Sequence, residues 1–232
     1  MSMRTNKSSA ICTLVATCAV AALGAAVFPR VAVAADAPKE WDGLEQRPSK
    51  SVDLLYMRPG ASLQGYKRVR LEPLYVAFDK NWDPNQGRIG ADRINKDDLE
   101  KIKKGLAEEF AKVAAAELAK GGYPVVTETG EDVLDVTPMV IDLYIAAPQK
   151  MTAGRSYTYV TDTGRMTLVA ELRDSETSQI LARVVDKRWA PQNATFQVAT
   201  TPSNIGAARV VIQRWAGALR KALDVANAKP VP

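Results

Sequence analysis

The sequence contains no histidine, which removes serine–histidine triads, histidine general bases and histidine metal ligands at once. Its two cysteines, Cys12 and Cys18, both lie in the first 28 residues. If that segment is cleaved, no disulfide can form and no thiolate remains to act as nucleophile or zinc ligand. Chemistry is then left to carboxylates, lysine, tyrosine and hydroxyls. Aromatic residues are also sparse, at 6%. What is present is the balance of a folded domain, 47% hydrophobic and 25% charged over 232 residues.

The first 34 residues have the three parts of a secretory signal. Arg4 and Lys7 give a basic start, Ala10–Phe28 is an uncharged and mostly apolar run, and Ala32-Val33-Ala34 is a small-x-small exit. Cleavage after Ala34 is expected, leaving a periplasmic or secreted protein. Lipid anchoring at Cys18 is the lesser alternative, because Thr17 is bulkier than the Gly, Ala or Ser that a lipoprotein box requires. Removing residues 1–34 takes away Arg4, Lys7 and Arg30 and no acid, so the formal charge falls from +5 to +2. The remaining Lys and Arg are interleaved with Asp and Glu, which argues against a nucleic-acid surface.

The mature chain divides into a lead-in over 35–51, a single α+β domain over 52–228 and a tail over 229–232. The lead-in is polar and expected to be extended, with Trp41 and Leu44 as its apolar anchors. Short strands are predicted at Asp53–Met57 and Tyr123–Thr127. Lys67–Phe78 alternates on one phase at Val69 and Leu71 and on the other at Leu74, Val76 and Phe78, so a bulge is expected at Glu72-Pro73. A similar phase change is expected at Thr137-Pro138 within Val133–Ala146. Arg165–Arg173 and Ile180–Arg188 predict a hairpin around the polar turn Asp174–Ser178.

Two helices are expected. The first starts at Asp97 with Glu100 completing a capping box and stops at Gly121-Gly122. Its apolar stripe is Leu99, Ile102, Leu106, Phe110, Val113 and Leu118, and Asp97–Lys101, Glu100–Lys104 and Glu108–Lys112 are acid-before-base pairs on its outer face. The second follows Thr201-Pro202-Ser203 with Ile205, Ala208, Ile212, Trp215, Leu219 and Leu223 as its stripe. This order predicts an antiparallel sheet of about five to six strands with both amphipathic helices on one face.

Several stretches, taken in order, resemble a bacterial envelope family, the domain of unknown function numbered 3313. They are Tyr56-Met57-Arg58-Pro59-Gly60, Gly65-Tyr66-Lys67-Arg68-Val69, Glu72-Pro73-Leu74-Tyr75-Val76-Ala77-Phe78 ending near Trp82, Gly122-Tyr123-Pro124-Val125-Val126, Glu171-Leu172-Arg173-Asp174-Ser175, and Trp215 in the last helix. The resemblance implies an exported protein, often a lipoprotein, with no established activity and no catalytic residues to carry over.

Four constellations bear on function. Asp79, Asn81, Asp83 and Asn85 alternate like the opening of a calcium loop, but Pro84 stands where that loop needs glycine and Gly90 where it needs a bidentate glutamate. Asx turns are the plainer account. Gly60 and Gly65 outline a phosphate loop, yet a strand follows where a helix must open. Glu128, Glu131, Asp132 and Asp135, and separately Glu171, Asp174 and Glu176, could supply an acid and a base for hydrolysis if one had a raised pKa. The loop Pro148–Gly164 with Arg165 carries large contact residues among small ones, and extended backbone would put Tyr157 and Tyr159 on one face.

These features point to a non-catalytic binding or assembly-accessory domain of the envelope. Its candidate binding residues are Arg155, Tyr157, Tyr159 and Arg165. No catalytic residue, metal ligand or cofactor is indicated. The partner expected is an envelope protein, with peripheral membrane association as a further option, no nucleic acid, and no oligomeric state set by the sequence. The alternative is a carboxylate-dependent hydrolase acting on an envelope glycan or small molecule.

Overall fold

The computed structural model divides into Met1–Val33 and Ala34–Pro232, and the residues it describes lie in the second unit: 37–90, 93–146, 158–160, 164–189, 197–199 and 201–228. Short strands open the order: β1 (Glu40–Trp41), β2 (Leu44–Arg47), β3 (Leu54–Met57), β4 (Arg68–Leu71) and β5 (Tyr75–Phe78). Helix α1 (Lys96–Lys120) leads to β6 (Val125–Val126) and the long β7 (Val133–Tyr144). After β8 (Thr158–Val160) come the hairpin strands β9 (Arg165–Asp174) and β10 (Ile180–Trp189), then β11 (Gln197–Ala199) and helix α2 (Thr201–Ala226).

Among the described residues, nine strands form one sheet in the order β1-β2-β3-β10-β9-β7-β4-β6, with β5 also paired to β7. A separate pair joins β8 to β11. The sheet is therefore wider than the five to six strands expected, and it is mixed. β4 and β5 run parallel to β7, and β6 runs parallel to β4. The reason is α1, which carries the chain from β5 back to the same sheet, and a helical crossover returns the next strand parallel. The polar stretch 35–51 supplies β1 and β2, where Leu44 is fully buried and Trp41 meets the Tyr56 ring edge-on at 5.7 Å. The expected loop Pro148–Gly164 likewise contributes β8.

Proline decides where the strands change phase. Glu72-Pro73 separates β4 from β5, and Leu71, Leu74, Val76 and Phe78 all reach the same core, as the expected bulge requires. At Thr137-Pro138 the expected change does not occur. Leu134, Val136 and Val140 stay on one core face through Pro138, and the register shifts later, between Ile141 and Tyr144. There Asp142 adopts a φ of 53°, and Leu143 returns to the core. Pro138 also sits in a central strand, not at an edge. Val136 accepts the Glu72 N–H at 2.9 Å, so the even positions of β7 turn their backbone groups toward β4 and β5. Pro138, which has no N–H to offer, faces the interruption between those two strands.

Helix α1 starts two residues before the expected cap. Asn95 accepts the Asp98 N–H at 2.9 Å and Asp98 accepts the Asn95 N–H at 3.1 Å, a reciprocal capping box. Its surface ion pairs also differ from those expected: Lys103 pairs with Glu100, Lys104 with Glu108, and Lys120 with Glu117. At its end, Gly122 has a φ of 75° and Gly121 leaves no room for a side chain. A Cβ on Gly121 would stand 2.7 Å from the Arg220 stem and 2.8 Å from the Tyr123 ring.

Both helices cover the same sheet face. Phe110, Val113 and Ala114 of α1 and Val211, Ile212, Trp215 and Ala216 of α2 close over Val76, Val140, Leu143, Met166, Leu168 and Ala170. Ile205, although on the α2 stripe, is exposed. One acid is enclosed in this layer. Asp186 of β10 has no exposed surface, and it accepts hydrogen bonds from Trp215 Nε1 at 2.7 Å, the Asp53 N–H at 2.9 Å and Arg188 at 2.6 Å. Burial pushes its pKa up, and the Trp215 hydrogen bond and Arg188 charge only partly oppose that. Asp186 thus ties α2, β10 and the entry to β3 together.

The opposite face is polar. Glu171 stands directly across from Arg183 in the β9–β10 register and bridges Arg183 and Arg173. Arg183 continues to Asp42 at 2.8 Å and lies 4.0 Å over the Trp41 ring. Arg70 pairs with Asp135 at the other side. Cross-strand pairs of opposite charge are the units that let one sheet carry polar residues on alternate positions of adjacent strands.

Candidate functional site

Two helices, each about 10 Å across, cover about 20 Å of sheet when laid side by side. Eight strands about 4.8 Å apart span roughly 34 Å. The apolar face must therefore run out from under its cover, and it does so toward β10 and β3. There Leu55, Met57 and Val184 remain only partly buried, and a half-open cavity of about 530 Å³ runs between the sheet and both helices to that margin. Its floor includes Leu168, Ala170, Leu172 and Ala182 of the sheet, and Trp215 of α2 and Leu118 of α1 line its helix side. The rim carries Ser49, Ser51, Ser62, Lys221, Ala222 and Val225, all exposed.

Small residues make the space. Ala170 and Ala182 occupy the centre of the β9–β10 apolar face, and Ala218, Ala222 and Ala226 line the α2 flank. A leucine at Ala170 or Ala182, both buried in the cavity floor, would carry its side chain into the void. Protein interiors hold few voids larger than one water, whereas ligand cavities occupy about 300–1,000 Å³. The walls offer almost no polar partner for ordered water, which needs about two to four hydrogen bonds.

Lys221 is the one charged residue among those lining the cavity, and it makes no ion pair among the described residues. The rim serines act as acceptors toward backbone. Ser49 Oγ takes the Ser51 and Val52 N–H groups at 3.2 and 3.3 Å, and Ser62 Oγ takes the Gln64 N–H at 3.0 Å. Their own hydroxyl protons point to no acceptor among the described residues. The mouth is thus rich in donors and the interior is apolar.

Of the four residues singled out as a contact surface, Arg155 and Tyr157 lie outside the described residues. The backbone of Tyr159 lies in β8, paired with Val198, and its side chain lies outside them. Arg165 starts β9 and is engaged within the chain. It pairs with Asp79 and lies 4.5 Å from the Tyr144 ring centroid and 5.4 Å from that of Trp189, which is 52% exposed.

Most of the singled-out carboxylates are likewise committed. Arg68 binds Asp132 at 2.6 Å and Glu128 at 2.8 Å, and holds the Asp132 carboxyl below its usual range. Asp174 is lowered by the Thr177 N–H above all, and Tyr66 donates to it at 2.8 Å. Burial works against the charge on Glu171, but Arg183 and Arg173 outweigh it and lower its pKa. The Asp79–Asn85 run folds into Asx turns, in which Asp79 accepts the Asn81 N–H and Asp83 accepts the Asn85 N–H, each at 2.8 Å. Asn85 ties both backbone groups of Ile94.

Sequence reasoning missed the cavity because alternation reports which face is apolar and not what covers it. The available signal was size: alanine recurs at central strand positions where a closed core favours larger side chains. Among the described residues no helix is long and apolar enough to cross a membrane.

No curated protein matches this chain. Among solved structures, the chain is similar to the PelC dodecamer from Paraburkholderia phytofirmans, at 11% identity and a TM-score of 0.35, covering 70% of this chain and 96% of that one. A minor lipoprotein from Acinetobacter baumannii aligns at 14% identity and a TM-score of 0.31, over 69% of this chain and 94% of that one. A Xanthomonas campestris protein of the family DUF330 aligns at 11% identity and a TM-score of 0.34, over 70% and 86%. At the sequence level the match is to a family described as "Protein of unknown function (DUF3313)", and because it spans residues 34–219, most of the chain, the protein belongs to that family.

Proposed function

We propose that this protein is a non-catalytic ligand-binding domain of the cell envelope that holds an apolar molecule in the cavity beside α2. The observation that carries this reading is the 530 Å³ apolar space left where the sheet outruns its two helices. The state of the carboxylates supports the non-catalytic part. Hydrolysis by a carboxylate pair needs one acid with a raised pKa beside the substrate, whereas Asp132, Glu171 and Asp174 are all lowered. Asp186 is raised, but it is sealed in the core and occupied by three donors. The signal-like pattern of residues 1–34, a basic start, an apolar run and a small-x-small exit, supports the location.

The test is titration with N-phenyl-1-naphthylamine, a neutral apolar dye whose fluorescence rises on leaving water. Saturable binding of one dye per chain is expected, with quenching of Trp215 on the helix side of the cavity. Ala182→Leu fills the floor and should abolish most of the signal while raising the denaturation midpoint, since filling a void typically adds about 0.5–2 kcal/mol. Absence of saturable binding in the wild type would overturn the reading.

A further inference from the structure

The cavity has a shape and a polarity that narrow its ligand further than apolar character alone. Along α2 its lining runs from Trp215 to Ala226, about 16 Å at 1.5 Å per residue. Along α1 it runs from Phe110 to Leu118, about 12 Å on the same rise. Across the sheet it takes in β4, β7, β9, β10 and β3, about 19 Å at about 4.8 Å per strand spacing. The space extends on the order of 16–19 Å in both directions and opens at one side, which gives an extended hydrocarbon chain room to lie within it. Its two ends differ in chemistry as well as in exposure. Phe110, Leu168 and Trp215 offer only apolar surface and one indole N–H, and that N–H is already given to Asp186. The rim instead presents an ammonium and three hydroxyls, and no acid lines it.

Resting on the reading that the cavity holds an apolar ligand, we propose that this ligand is a single-chain anionic amphiphile. Its hydrocarbon chain lies along the floor between α2 and the sheet, and its oxyanion sits at Lys221 with the hydroxyls of Ser49, Ser51 and Ser62. A neutral ligand would leave those donors to water and gain nothing from Lys221. A cationic head would meet the Lys221 charge. The lysine is suited to this task by its position. On α2, Arg220 beside it is turned inward to Glu117 and Asp224, whereas Lys221 is on the exposed side facing the mouth. Its long apolar stem can extend the cavity wall while the ammonium stays in water, which keeps the charge inexpensive.

The oxyanion has two natural sources, the carboxylate of a free fatty acid and the phosphate of a lysophospholipid. The experiment is displacement of N-phenyl-1-naphthylamine from the purified protein by three ligands sharing a palmitoyl chain: palmitate, palmitoyl-lysophosphatidylglycerol and neutral 1-palmitoylglycerol, each kept below its aggregation threshold. The two anions together test the proposal, and the tighter of them identifies the source. At least one should bind about fivefold or more tightly than the neutral glyceride, the upper range of a solvent-accessible ion pair. Raising the salt should shrink that preference. Lys221→Glu should erase it with the chain still folding cooperatively, and Lys221→Arg should retain it. Equal affinity for neutral and anionic chains in the wild type, or an anion preference that survives Lys221→Glu, would overturn the amphiphile assignment while leaving an apolar-ligand cavity standing. Failure of the dye itself to bind would overturn both.

Discussion

Where α1 and α2 lie over β7 and β9, Val140, Leu143 and Met166 are closed off by Phe110, Val113 and Ile212. Where the same face continues onto β10 and β3, Leu55, Met57 and Val184 stay partly exposed around the cavity. Both regions are built from the same alternation of apolar residues, and they differ in what stands opposite. In the first region a side chain loses water and gains close contacts; in the second it loses much of its water without the full set of contacts. A ligand can supply those missing contacts only in the second, which is why the proposed binding site lies there and the stability rests on the first.

Trp215 stands at the border between the two regions, and its loss should have the largest effect. Trp215→Ala removes a buried aromatic and the 2.7 Å donor to Asp186, and a cost of about 3–5 kcal/mol is expected from the truncation alone. A denaturation midpoint that stays in place with unchanged slope would break the assignment of Trp215 to the core.

The comparison itself is sharpened by one substitution made on both sides. Leu143→Ala, under the helices, should cost about 2–5 kcal/mol. Leu55→Ala, on the cavity wall, should cost less than half as much, because fewer contacts are there to lose. Equal losses in urea denaturation would mean that the two regions are packed alike.

The smallest effect expected is on pH dependence, where an enclosed acid and an acid of the polar face act in opposite senses. Asp186 has a raised pKa in the fold, so its contribution is present below its unfolded value near about 3.9 and is lost as pH rises through the folded value. Glu171 has a lowered pKa, so its contribution is present above an unfolded value near about 4.3 and is lost as pH falls. Between pH 5 and 3, Glu171→Gln should flatten the fall in thermal midpoint and Asp186→Asn should steepen it. The reverse ordering would place the two acids on the wrong faces.

The elements legible in the sequence were those whose signal is local. The hairpin of β9 and β10 announces itself by period-two alternation around a polar turn, and α1 and α2 by stripes three to four residues apart. Even there, the α1 cap moved from Asp97 to Asn95, because both residue types can cap and the choice fell to which side chain met a free N–H. Tyr157 and Tyr159 drew attention as candidate contact residues by composition, whereas the cavity has no motif at all.

By itself the sequence determined which residues are apolar, at what period they recur, and that no histidine would take part in chemistry. These follow from residue type and from the fixed geometry of helix and strand. Only the tertiary structure decided that β4 and β5 run parallel to β7, that Pro138 could sit in a central strand opposite the break at Pro73, and that Glu171 would be held charged between Arg173 and Arg183. It also decided that two helices would fall short of the sheet's full width. Coverage is a relation between elements distant in the chain, so no window of sequence contains it, and the cavity beside Lys221 exists because of that shortfall.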